Sequence, residues 1–126
     1  MKTETVPDSY DVLAPDGSEI RLLVSGERGS MVHCTLPPGQ VSLAVRHRTV
    51  EELWYCLEGW GEVWRSRDGR EETADFVPGV SLVIPLGAHF QFRAVGAASL
   101  RFAIVTMPPW PGGEEAVRVE EHWPVE

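Results

Sequence analysis

Turn signals interrupt this chain so often that no long helix fits between them. Pro15-Asp16-Gly17, Pro37-Pro38-Gly39, Gly59-Trp60-Gly61, Asp68-Gly69, Pro78-Gly79 and Pro85-Leu86-Gly87 each halt a regular element. Proline removes an amide donor and glycine accepts a left-handed backbone. The runs between them are rich in β-branched and aromatic residues, and none longer than about ten residues shows the 3.6-residue apolar period of a helix. The pattern predicts strands over 12–14, 20–24, 31–36, 41–47, 53–57, 62–67, 71–76, 80–84, 90–95 and 100–106. The first two flank Pro15-Asp16-Gly17-Ser18 as a hairpin. Short strands at this spacing make an all-β sandwich or barrel.

A chain of 126 residues is one domain with room for a sizeable core. Its expected parts are an N-terminal hairpin at about 10–25, a barrel core at about 30–107 and a C-terminal arm at about 108–126. The run Met107-Pro108-Pro109-Trp110-Pro111 excludes helix and central strand. It is expected to lie extended over the barrel, with Trp110 as an anchor. The acidic stretch from Glu114 to Glu126 should follow as a solvated or partly ordered arm.

The net charge of -8 repels phosphate backbones and anionic lipid, so neither nucleic acid nor a membrane surface is an expected partner. No run of about 18 apolar residues is present to span a bilayer. The N-terminal MKTETVPDSYDV lacks the apolar segment of a signal peptide, so the expected location is the cytoplasm. Cys34 and Cys56 form no CxxC pair, and both read as buried reduced thiols.

Two motifs bear on chemistry. From Gly39, five residues lead to Val45; His47 follows, then four residues, Glu52, six residues and Gly59. From Gly79, five residues lead to Pro85; Gly87 follows, and the next two register positions fall on Phe90 and Ala94. With the run EELWYCLEGWGEV, these spacings over roughly residues 30–107 resemble the cupins, small jelly-roll β-barrels (double-stranded β-helices). The resemblance implies a metal held by three His and one Glu pointing inward. Imidazole and carboxylate together suit iron, manganese, nickel or zinc. Here Val45 and Phe90 occupy two of those four positions, leaving His47 and Glu52. His89 is the candidate further metal ligand, one residue early; strand alternation turns it away from the direction of Phe90. The cofactor expectation is therefore none, or a weakly held divalent transition metal. The resemblance also implies a homodimer, and Trp60 and Trp64 read as interface aromatics.

Strand parity places Val41, Leu43, Val45 and His47 on one face, with Ser42, Ala44 and Arg46 on the other. The same parity turns Val45, His47, Glu52, Trp54, Cys56, Val63, Phe90, Phe92, Phe102, Ile104 and Thr106 inward. The lining is apolar and aromatic with few polar fixtures, the general form of a ligand pocket. A solidly packed barrel fits the same pattern. Val45, Trp54, Cys56, Phe90, Phe92, Phe102 and Ile104 are the candidate ligand-contacting residues.

His47 and Glu52 are the candidate catalytic pair, because a buried carboxylate needs a partner and His47 is the simplest one. They read first as hydrogen-bonding fixtures for a ligand, next as a structural relic, and last as an acid–base couple. The leading expectation is a binder of a small, largely apolar molecule. The rivals are a metal-dependent dioxygenase or sugar isomerase, and a metal-free isomerase or lyase. His33 and His122 are expected outside the pocket.

Overall fold

The computed structural model describes residues 1–125. The strands are β1 (Val12–Leu13), β2 (Glu19–Ser25), β3 (Ser30–Leu36), β4 (Val45–His47), β5 (Glu51–Glu58), β6 (Gly61–Arg67), β7 (Arg70–Phe76), β8 (Ser81–Ile84), β9 (His89–Ala94), β10 (Leu100–Met107) and β11 (Ala116–Arg118). They form two antiparallel sheets, ordered β1-β2-β3-β10-β5-β8 and β11-β4-β9-β6-β7. None of the described helical segments is long and apolar enough to cross a membrane.

The core follows from alternation. Along β5, Glu52, Trp54 and Cys56 are buried while Glu51, Leu53, Tyr55 and Leu57 are exposed. The register sets Trp54 beside Ile104 and Cys56 beside Phe102. On the opposing sheet it sets Val63 beside Phe92. Within its own sheet Trp54 packs against Phe102 at 4.6 Å, and across to the other sheet against Phe92 at 5.2 Å and Phe90 at 5.5 Å. Each such side chain removed from water contributes roughly 1.5–3 kcal/mol. Cys34 and Cys56 are buried free thiols. Gly59 and Gly61 do more than turn the chain. A Cβ on Gly59 would meet the Ser99 carbonyl oxygen at 2.3 Å, and one on Gly61 would meet Leu100 Cδ2 at 2.6 Å. The hairpin can press against β10 only without side chains at these two positions.

Three expectations are revised or narrowed. The strand foreseen over 41–47 is regular only at Val45–His47. The Ser42 hydroxyl accepts the Phe92 amide at 3.0 Å, and its own amide donates to the Phe92 carbonyl. This side-chain substitution interrupts the ladder and the parity with it, so Ser42 and Ala44 are buried while Val41 and Leu43 are only half-buried. Second, of the two forms expected for the acidic arm, solvated or partly ordered, the structure has the partly ordered one. Ala116–Arg118 adds β11 to the edge of β4. Glu115 is buried, and Gln91 ties down the segment beyond. The Gln91 amide donates to the Ser42 and Trp123 carbonyls and accepts from the His122 and Trp123 amides. Glu126, the last residue of that arm, lies outside the described residues. Third, Trp64 is no exposed interface aromatic. His122, itself exposed, stacks on it at 4.9 Å, and Trp64 is buried.

Trp60 is exposed at its hairpin tip, as foreseen. The outer face of the larger sheet carries exposed Leu53, Tyr55, Leu57 and Val83.

Gln91→Leu tests the tail's attachment. It leaves the Ser42 and Trp123 carbonyls and two tail amides without the Gln91 partner, at a cost of about 2 kcal/mol. Hydrogen exchange should show the His122 and Trp123 amides losing protection; unchanged protection would refute the role.

Candidate functional site

A cavity of about 660 Å³ opens at one end of the barrel. Of the residues foreseen from sequence, Val45, His47, Glu52, Trp54, Phe90 and Ile104 line it, with Thr106 beside them. Cys56, Phe92 and Phe102 do not line it; they pack in the core beneath. The reason is depth, since parity says which face a side chain takes and not how far along the barrel it sits.

Glu52 comes from β5, where it pairs with Thr106 on β10 and Ile84 on β8. Its Oε1 accepts from Trp54 Nε1 at 3.0 Å, and its Oε2 from Thr106 Oγ1 at 2.8 Å. Burial pushes the carboxyl up to about 7, against the pull of these two bonds. His47 ends β4. Its ring stands edge-on to Phe90 at 5.1 Å and to Trp110 at 5.2 Å. Burial lowers its pKa to about 4, although nearby Glu115 acts the other way. Nδ1 of His47 is buried without a hydrogen-bond partner.

The partnership foreseen between His47 and Glu52 is absent among the described residues. Glu52 takes its bonds from Trp54 and Thr106 instead, because those donors sit on its own strand and the adjacent one. His89 is not brought to this site. With Phe90 and Phe92 buried inward on β9, alternation sends His89 to the opposite face. Val45 and Phe90 are each 1% exposed and fill the positions where the resemblance would place imidazoles. No three His, Cys, Asp or Glu side chains among the described residues are placed to share a metal ion. The donor set among the described residues does not fit a metal of the family kind.

Sequence reasoning missed Asp16, Ser18 and Ala116 as lining residues. Asp16 Oδ1 accepts from the Ser18 amide at 2.9 Å and from its hydroxyl at 2.6 Å. Burial raises the Asp16 carboxyl, and these bonds oppose the rise. The Asp-x-Ser spacing signals this local turn, but nothing in it says that the turn folds over the barrel mouth. Trp110, expected as an anchor, forms part of the cavity wall.

The geometry has known relatives. A Cupin domain family model matches residues 32–107. An uncharacterised protein of Methanocaldococcus jannaschii is 29% identical over 119 residues, 87% of this chain and 88% of that one. A crystal structure from Thermus thermophilus shares 25% identity and superposes with a TM-score of 0.65, covering 80% of this chain and 92% of the other. Bacillus subtilis oxalate decarboxylase reaches a TM-score of 0.77 at 17% identity, covering 94% of this chain and 33% of its own; that likeness is one of fold. With a family model covering more than half its length and the two-sheet barrel to match, the chain belongs to the cupin family.

Proposed function

We propose that the barrel binds one small, largely apolar or aromatic molecule, oriented by His47 and Glu52. The observation that carries this reading is the cavity itself, about 660 Å³ walled by aromatic and aliphatic side chains with His47 and Glu52 among its few polar groups. Nδ1 of His47 is buried with no hydrogen-bond partner among the described residues, an arrangement that costs about 1–3 kcal/mol and marks this wall residue as more than packing. The cavity volume suits a drug-sized molecule, and its walls are predominantly apolar with few polar groups.

Trp54 and Trp110 both line the cavity, so their fluorescence reports its occupation. Titration with Nile red, an uncharged aromatic dye, is expected to quench that fluorescence and saturate at one dye per chain. Trp110→Ala should weaken binding about tenfold, the loss of one aromatic wall. Non-saturable quenching, or equal affinity in Trp110→Ala, would overturn the reading.

A metal-free acid–base activity is the second reading. It is favoured by the Glu52 carboxyl at about 7, where both protonation states are present near neutral pH. On that reading Glu52→Gln keeps the ligand and loses turnover.

A further inference from the structure

The charge on the cavity wall restricts its occupant. Among the described residues the titratable groups lining the cavity are Asp16, His47 and Glu52, and no lysine or arginine joins them. The two carboxyls arrive on different elements, Asp16 from the β1–β2 hairpin and Glu52 from β5. Neither is neutralised by an ion pair. Both Ser18 bonds go to Asp16 Oδ1, and Oδ2 accepts no hydrogen bond among the described residues. Each Glu52 oxygen accepts one bond and keeps acceptor capacity for another. An anionic ligand would therefore meet two carboxyls and no cation. A cationic one would find acceptors and also the aromatic wall residues Trp54, Trp110 and Phe90, a class of side chain whose ring faces attract positive charge. His47, the third titratable group of the wall, is 5% exposed, and its Nδ1 has no hydrogen-bond partner among the described residues.

Resting on the binding reading above, we infer that the occupant is an organic amine: an aryl or alkyl body against the aromatic wall, with a protonated nitrogen drawn to Asp16 and Glu52. The same wall selects against organic acids of equal size. It thus separates this chain from oxalate decarboxylase, its likeness in fold, whose name specifies a dianionic acid.

The test uses matched probes that share a body and differ in the head group. 2-Phenylethylamine, 2-phenylethanol and phenylacetate form one series; tryptamine, tryptophol and indole-3-acetate form another. Isothermal titration at about pH 7.5 is expected to rank amine over alcohol by about tenfold and to place the carboxylate last. Asp16→Asn keeps the Oδ1 acceptor for Ser18, and Glu52→Gln keeps an acceptor for Trp54. Each should narrow the amine-to-alcohol ratio by several-fold, with circular dichroism confirming the fold. A carboxylate binding as tightly as its amine overturns the inference, as does a ratio unmoved in both variants. Alcohols that saturate with no preference for amines would leave the binding reading standing without it. If no probe in either series gives a saturable isotherm, the inference falls, and if Nile red also fails to saturate, the binding reading falls with it.

Discussion

Glu52→Gln is expected to make the protein more stable than wild type by an amount that grows with pH, reaching about 3 kcal/mol above neutrality. The carboxyl is raised from 4.5 to about 7 in the fold. A group whose folded pKa lies above its unfolded value favours the fold fully below the unfolded pKa. That contribution is lost as pH rises through the folded one. Wild type therefore forfeits stability between about pH 4.5 and pH 7, at roughly 1.4 kcal/mol per unit. A glutamine side chain at this position has no charge to desolvate, and its amide can accept from Trp54 Nε1 and donate to Thr106 Oγ1. His47 carries the mirror effect. Its pKa falls from 6.5 to about 4, so its contribution is present above 6.5 and lost as pH falls through 4. The two slopes oppose each other over nearly the same window, and wild type hides both. Urea denaturation across pH 4–8, read as the difference from wild type, should show Glu52→Gln gaining as pH rises. His47→Gln should gain as pH falls. A pH-independent difference in either variant would refute the burial assigned to that group.

This concealed pair also shows what the sequence could and could not reveal. Gly39, Gly59, Gly79 and Gly87 stand at fixed spacings because turns between strands of set length need left-handed residues, and each has a positive φ. Local chemistry of that kind is written in the order of residues, so the barrel and its inward face were legible. Partnership is not local. Glu52 had Trp54 two residues away on its own strand face, yet only the pairing of β5 with β10 brings in Thr106. The cavity wall was less legible still, since Asp16, Trp110 and Ala116 come from segments outside the family motif. The tail was half-legible for a related reason. Its acidity suggests solvation, but one glutamate can be buried wherever the fold presents donors to it.

That glutamate is Glu115, and its replacement by alanine is expected to cost about 3–4 kcal/mol. Oε2 accepts from the Thr49 amide at 2.7 Å and the Val50 amide at 3.1 Å, and Oε1 accepts from the Thr49 hydroxyl at 2.6 Å. These bonds hold its pKa below the usual carboxylate value, although burial opposes them. The clamped corner joins β4 to β5, and so it sets His47 relative to Glu52. Val50 is fully buried, and truncation removes the carboxylate that its amide donates to. Gly113 and Ala116, on either side of Glu115, line the cavity together with Trp110. Loosening this segment therefore opens the ligand wall as well as the corner. Thermal unfolding of Glu115→Ala should fall by roughly 10–15 °C for a domain of this size, and its affinity for Nile red should drop with it. Acid should reproduce part of the loss in wild type. A depressed carboxylate stabilises above its unfolded pKa of 4.5, and the benefit goes as pH falls through the folded value. Stability within about 1 kcal/mol of wild type would mean that the tail rests on the barrel without bracing it. The positions of His47 and Glu52 would then be set by the sheets alone.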